Sequence, residues 1–324
     1  MKASVIVVSY NTRELTARCL EALLENGLGA DMEVFVVDNA SADGSADMVG
    51  ERFTAVHLIA NTVNTGFAAA NNQAYALSGG EFIFLLNPDA RLLPGSLQAC
   101  LDFMAKHPRC GLCGGRIINP LGGLEPSARR FPTALFKLFT ISGLSARFPS
   151  SRIFGAGDFT NVDLDTPREV DWVPGTFTCI RRDMLKQIGF FDEEFYLYYE
   201  ETDLCLRARR NGWQVFYLPG AAVVHEGGAS GKSRKDKAFD TGGSQVMSFR
   251  MRSELLYHRK NHGLAAAAAA LLIETGWHAL RYLLHLRPGE THAAKRRYSS
   301  LTVRQMFTAA LDTQLGAKAP PVPW

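Results

Sequence analysis

The sequence carries little net charge, few cysteines and no clean apolar stretch long enough to span a bilayer. Its 35 basic and 32 acidic side chains leave a formal charge of +3, too small to argue for nucleic acid as a partner. What bias exists is positional, with acidic residues concentrated before Asp203 and basic ones after Lys232. Six cysteines at uneven spacing fit a reducing cytoplasm better than an oxidising compartment. Cys110 and Cys113 form a single CxxC without a second pair, so a glycine-rich turn between small residues is preferred to zinc or redox chemistry. Met1-Lys2 leads directly into a strand-like run, and no signal peptide is expected. The most apolar region, Leu264 to Leu286, is interrupted by Glu274, His278, Arg281 and His285, which is too polar for a membrane span.

What is present is ordinary for a globular protein: 324 residues, 47% hydrophobic and 21% charged, enough for one large domain or two ordinary ones. Four short apolar runs, Ser4 to Val8, Val34 to Val37, Ala55 to Ile59 and Phe82 to Leu86, read as strands buried on both faces. Helical spacing occupies Thr12 to Asn26, Asp43 to Phe53, Phe67 to Leu77 and Pro94 to Lys106. Such alternation predicts a parallel sheet covered by helices, with ligands bound beyond the carboxyl ends of the strands. Those ends are polar: Ser9-Tyr10-Asn11, Asp38-Asn39, Asn61 to Asn64 and Asn87-Pro88-Asp89. The placement moves Asp89 from a turn residue towards a site residue.

Gly111 to Pro174, rich in Gly, Pro and Arg, reads as long loops. Structure is expected to return with a strand over Trp172 to Ile180, helices over Arg182 to Ile188 and Glu201 to Asn211, and a strand over Gln214 to Leu218. Gly227 to Lys237 has the composition of a mobile loop, and Met247 to His262 and Leu264 to Leu286 read as helices. The second helix, flanked by Arg287 and Lys295-Arg296-Arg297, suits a membrane interface; packing on the catalytic domain explains it equally well.

Seven segments in order carry a resemblance: VIVVSYN (Val5 to Asn11), VVDNASADGS (Val36 to Ser45), NTGFAAANN (Asn64 to Asn72), LLNPDA (Leu85 to Ala90), VPGTFTCIRRDML (Val173 to Leu185), FYLYYEETDLCLRARRNGW (Phe195 to Trp213) and VVHEGG (Val223 to Gly228). Together they resemble, over roughly Ser4 to Gly228, the inverting nucleotide-sugar glycosyltransferases of family 2, and within them the dTDP-rhamnose-dependent rhamnosyltransferases. The resemblance implies an α/β GT-A (Rossmann-like) fold, mostly parallel; the catalytic domain is expected over residues 1–235, and the C-terminal residues 236–324 read as a helical, basic and apolar extension. It implies a nucleotide site at Ser9, Tyr10, Asn11, Asp38, Asn39, Asn64, Gly66 and Asn87, in which Asp38 accepts a base N–H.

Asp89 matches the last aspartate of a DxD motif and His225 a histidine that completes the metal site in some relatives, so Mg2+ or Mn2+ is implied. Asn87 replaces the motif's first aspartate. Glu201 aligns with the general base, with Glu200 and Asp203 as competitors. Trp172, Gly175, Thr176 and Glu200 fall where an acceptor sugar would lie, although Trp172 suits a core equally well. Arg129, Arg130, Lys232, Arg234 and Lys235 stand in loops able to close over diphosphates or to remain solvated. The implied partners are a nucleotide-sugar donor and a glycan or polyprenyl-diphosphate-linked acceptor, met in the cytoplasm at the inner face of the membrane. Oligomerisation is left open. Two alternatives stay open on the sequence: the same fold using a UDP- or GDP-sugar, and a catalytically inactive glycan- or nucleotide-binding module.

Overall fold

The computed structural model describes residues 2–27, 29–227 and 245–319. Lys232, Arg234, Lys235 and Gly228 lie outside the described residues, as does most of the expected loop at 227–237. The rest divides by internal contacts into two units. One, the sheet unit, comprises 2–131, 162–193 and 201–227; the other, the helical unit, comprises 132–161, 194–200 and 245–319. The division departs from the consecutive boundary expected at 235/236 because two short segments, 132–161 and 194–200, cluster with the C-terminal helices.

In the sheet unit the apolar runs become β1 (Ala3–Ser9), β2 (Met32–Asp38), β3 (His57–Ala60) and β4 (Phe82–Leu86). They alternate with α1 (Arg13–Glu25), α2 (Ser45–Arg52) and α3 (Phe67–Leu77). Residues such as Val5, Val7, Val36, Ile83 and Phe84 are fully buried, because the helix-covered sheet leaves these positions no route to water. The four strands run parallel in the order β3-β2-β1-β4, as the alternation requires. After β5 (Ala90–Leu92) and α4 (Ser96–Lys106), the sheet continues through β9 (Phe177–Arg181), antiparallel to β4. Next come β6 (Cys110–Ile118), antiparallel to β9, and β10 (Gln214–His225), parallel to β6 and paired at its end with β5. The small strands β7 (Leu124–Glu125) and β8 (Arg168–Glu169) flank β6 and β10.

β6 corrects the expectation of loops from Gly111 onwards. Its glycines are packing residues: a Cβ at Gly111 would lie 2.4 Å from the Met184 sulfur, and one at Gly114 would lie 2.6 Å from Val173. The strand expected from Trp172 starts only at Phe177, after a Gly175-Thr176 turn. Cys100, Cys110, Cys113 and Cys179 are all buried thiols in this unit, and Cys113 and Cys179 face each other across β6 and β9. The unit closes with α7 (Arg182–Ile188) and α8 (Glu200–Arg210), whose first residue falls in the helical unit by contacts.

The helical unit consists mainly of α5 (Ala134–Ile141), α6 (Leu144–Arg147), α9 (Gln245–His262), α10 (Leu264–Leu284) and α11 (Glu290–Asp312). The two expected C-terminal helices are present, and α5, α6 and α11 are additional. Its apolar contacts include Met251 and Leu255 against Met306 and Ala309. Charge is also inside. The Lys137 ammonium lies 2.7 Å from both Glu254 carboxylate oxygens and 2.8 Å from Glu274 Oε2, with all three side chains under a tenth exposed. His278 Nε2 approaches Glu274 Oε1 at 3.5 Å, and its Nδ1 lies 3.3 Å from Ser299 Oγ. His278 and Lys137 hold the Glu274 carboxyl down at about 2, although burial alone would raise it. Burial pushes His258 down to about 4.

Candidate active site

The carboxyl ends of β1, β2 and β4 gather most of the polar residues singled out in the sequence. β1 stops at Ser9, whose hydroxyl is buried and spent on Thr12 and Thr16 at 3.1 and 3.0 Å, tying the strand to α1. Asn11 enters the left-handed region at φ 51°. Its backbone N–H donates to Ser41 Oγ at 2.9 Å, and its side-chain oxygen accepts from Ala42 N–H at 2.7 Å. The loops after β1 and β2 are therefore one braced edge. Asp38 is buried there. Its Oδ2 accepts the Ser41 N–H at 2.9 Å, while its Oδ1 is buried with no hydrogen-bond partner. A buried carboxyl oxygen left so is costly unless something arrives to donate to it.

Asn39 and Asn64 brace each other. Asn39 Nδ2 donates to Asn64 Oδ1 at 2.8 Å and to the Gly66 carbonyl at 3.1 Å, and its Oδ1 accepts from Asn61 and Thr65. Gly66 caps α3 at φ 88°, where a side chain would be strained. Asn39 thus braces the loop that closes this end of the sheet. Nothing in the sequence separates that role from direct contact, because both call for an asparagine at a strand end.

Beyond β4, Asn87 N–H donates to the Thr176 carbonyl at 3.0 Å, drawing the turn after β4 to the one before β9. Asp89 is buried. His225 Nε2 lies 3.3 Å from Asp89 Oδ1, and the Glu226 N–H donates to the Asp89 carbonyl at 3.0 Å. The other ring nitrogen, Nδ1, lies 3.1 Å from Glu125 Oε2. Burial opposes the charged imidazole, but the hydrogen bonds and charges of Asp89 and Glu125 outweigh it and raise its pKa. Glu125 escaped the sequence reading because it sits on the two-residue strand β7 in a stretch taken for loop.

Among the described residues no group of three His, Cys, Asp or Glu side chains is arranged to hold a metal. The donors nonetheless fit a cation that keeps most of its shell as water and ligand oxygens. Asp89 offers a hard carboxylate beside His225 Nε2, and in the neutral ring a proton on Nδ1 held by Glu125 would leave the Nε2 lone pair for a cation.

Glu201 is the second residue of α8 and is half-buried, whereas Glu200 is buried. Asp203, the third carboxylate there, is engaged by Arg207 at 2.7 Å, and that guanidinium also holds the carbonyls of Ile188, Gly189 and Phe190. Asp203 thus locks α8 to the loop after α7. Immediately before α8, Tyr198 and Tyr199 take φ values of 68° and 69°. For bulky residues this region costs on the order of 1–3 kcal/mol each.

Trp172 donates its indole N–H to the Arg130 carbonyl at 2.9 Å, bridges backbone to backbone with Arg129, and carries the Arg129 guanidinium 5.3 Å from its ring. Both arginines are thus built around the tryptophan. Thr176 is buried, and Gly175 faces the Phe67 ring with space for a Cβ.

The family model described as "Glycosyl transferase family 2" matches residues 4–189. An N-acetylglucosaminyl-diphospho-decaprenol L-rhamnosyltransferase of Mycobacterium tuberculosis is 30% identical over 232 residues, covering 68% of this chain and 75% of the relative. The rhamnosyltransferase WbbL of Escherichia coli is 25% identical, covering 79% and 95%. The solved mannosyltransferase PcManGT of Pyrobaculum calidifontis, in complex with GDP-Man and Mn2+, superposes with a TM-score of 0.55 at 16% identity, covering 97% of this chain and 87% of that one. At that identity the likeness establishes the GT-A fold and nothing finer.

Proposed function

The chain belongs to glycosyl transferase family 2, and from that premise we propose that it moves L-rhamnose from dTDP-rhamnose to a glycan acceptor on a polyprenyl diphosphate, in bacterial cell-surface polysaccharide synthesis. One observation carries the nucleotide-sugar chemistry: the buried Asp38 Oδ1 has no partner at the carboxyl end of β2, where a pyrimidine ring N–H would supply the missing donor. The rhamnosyltransferases among the relatives, and the diphospho-decaprenol substrate that the name of one of them states, support the sugar and the acceptor class.

In this reading the nucleotide lies along the edge braced by Asn11, Asn39, Asn64 and Gly66, its base on Asp38 and its diphosphate towards Asn87. Asp89 and His225, backed by Glu125, would hold Mg2+ or Mn2+ with diphosphate oxygens, and the cation would offset the leaving group's charge. Glu201 accepts the proton of the acceptor hydroxyl as that oxygen bonds to the anomeric carbon. The bond from that carbon to the diphosphate breaks, dTDP leaves with the electron pair, and the configuration inverts. Trp172, Gly175, Thr176 and Glu200 line the acceptor side.

Among the described residues no helix is long and apolar enough to cross a membrane. The end of α10 exposes Leu280, Leu283, Leu284 and Leu286 beside Arg281 and Arg287, which supports docking on an anionic membrane surface where such an acceptor resides. Flotation with anionic liposomes tests this. The full chain should float, and Leu283→Ser with Leu284→Ser should sink it. A full chain that stays at the bottom refutes the docking.

The donor is tested by nucleoside-diphosphate release from dTDP-rhamnose, UDP-sugars and GDP-sugars, with a short lipid-diphospho-N-acetylglucosamine acceptor and Mg2+ or Mn2+. dTDP-rhamnose should turn over fastest. Preference for a GDP-sugar by more than about tenfold, about 1.4 kcal/mol, overturns the rhamnosyl assignment. Binding of donor without turnover of any overturns transfer itself.

A further inference from the structure

The segment that leads into Tyr198 and Tyr199 is held by α9. α9 carries Phe249, Ser253, Tyr257 and Lys260, spaced four, four and three residues apart and so on one helix face. All four grip the chain between residues 194 and 199. The Ser253 hydroxyl donates to the Leu197 carbonyl at 2.8 Å. The Phe249 ring centre lies 5.0 Å from that of Tyr196, and the Tyr257 ring 5.3 Å from that of Tyr199. Lys260 pairs with Glu194 and lies 5.9 Å over the Phe195 ring. Ser253 and Tyr257 are almost fully buried.

A left-handed pair of tyrosines persists only where the surroundings over-determine it. Relaxing either φ to the ordinary helical value turns the chain by about 130° and re-aims the residues beyond it. The next two residues are Glu200 and Glu201. A strut serving only to attach a segment has no need of this conformation, since a relaxed turn would attach it with less strain. We propose that α9 is the positioning element of the catalytic turn: Ser253 and Tyr257 hold Tyr198 and Tyr199 left-handed, and so fix the direction in which Glu201 is presented. The proposal rests on Glu201 being the general base.

The full chain is assayed as wild type, Ser253→Ala, Tyr257→Leu and Tyr257→Phe, each also in a Glu201→Gln background. A base displaced by about 1 Å loses up to about a hundredfold, so Ser253→Ala and Tyr257→Leu should each lower kcat between about tenfold and a hundredfold. KM for dTDP-rhamnose should stay within about twofold, which marks a loss made only in the transition state. Tyr257→Phe keeps the ring and should restore kcat. In the Glu201→Gln background the residual rate should not fall further, because residues acting through one group are not additive.

Unchanged kcat in both Ser253→Ala and Tyr257→Leu overturns the proposal. Equal losses with and without the Glu201 carboxylate, or a loss expressed in KM, also overturn it, since a structural defect would act so. If Glu201→Gln alone remains fully active, the base assignment fails and the proposal falls with it. A dead Glu201→Gln beside fully active α9 variants fails the proposal alone.

Discussion

The two units use polar side chains in opposite ways. In the sheet unit, the helix-covered strands are apolar and the unsatisfied polarity waits at their ends, as at Asp38. In the helical unit the charges are in the interior and satisfy one another, as Lys137 does with Glu254 and Glu274. A strand end presents polar groups to a ligand without disturbing the ladder, whereas packed helices can fix their register with a buried charge cluster. The comparison teaches where to expect damage. A carboxylate lost from the candidate site, Asp38 or Glu201, should cost activity and leave stability intact; a charge lost from the buried cluster of the helical unit should do the reverse.

The largest expected effect breaks or keeps the first half of that statement. Glu201→Gln should lower turnover by about a hundredfold to ten-thousandfold, the usual worth of a general base, with donor affinity and melting temperature little changed. Glu200→Gln should cost less. If Glu200→Gln is the dead variant and Glu201→Gln is active, the base assignment is off by one residue.

Lys137→Met tests the second half. It leaves two carboxylates buried without the ammonium between them, and breaking a buried pair in this way costs about 3–5 kcal/mol. Urea unfolding should show that loss, with donor affinity unchanged. A Lys137→Met chain as stable as wild type would make the cluster incidental.

The pH dependence sharpens the contrast. His258 is held down to about 4 by burial, with Lys137 and His262 adding to the effect and Glu254 opposing it. The unfolded chain therefore takes up a proton near pH 6.5 that the folded one refuses until about pH 4. Stability is full above about pH 6.5 and should fall by about 3 kcal/mol on going down to about pH 4, since each unit of displacement is worth about 1.4 kcal/mol. Glu274, held at about 2, extends the loss between pH 4.5 and 2, because its depressed carboxyl stabilises only while ionised. His258→Gln should flatten the upper window in urea titrations spanning about pH 7 to about pH 4.5. An unflattened slope would assign it to other groups.

The smallest effect lies back at the strand end. Asp38→Asn keeps the size and the bond to the Ser41 N–H but weakens the acceptor offered to a base. dTDP binding should weaken by about 1–3 kcal/mol in calorimetry. Unchanged affinity would remove Asp38 from the base site.

Much of the sheet unit was legible because its first half obeys period and composition. The run Phe82 to Leu86 and the helix over Phe67 to Leu77 occur with those bounds. The strand β6 was not legible. Gly111, Gly114 and Gly115 signal a loop to any local reading, yet each is glycine because Met184, Val173 or Phe177 occupies the space of its side chain. That reason is non-local and cannot be read along the chain. α11 was missed for a related cause: its buried residues include Ser299 and Thr302, so the apolar stripe that announces a helix is interrupted. At the site, Asp38, Asp89 and His225 were legible as types at strand ends. The supports were not, because Glu125, Ser253 and Tyr257 acquire their meaning only from partners distant in sequence.

The thiols buried in the sheet unit give the chain an internal clock. Reagents attack only an accessible thiolate, and all six cysteines are buried and reduced. Burial pushes Cys179 up to about 11 and Cys205 to about 12, and raises Cys113 as well. In the closed molecule they are chemically silent. Alkylation under native conditions therefore counts opening events: labelling at Cys113 and Cys179 times the parting of β6 from β9, and labelling at Cys205 times the loosening of α8. Mass spectrometry of the unaltered chain, site by site, would report how often the helix bearing Glu201 leaves its place.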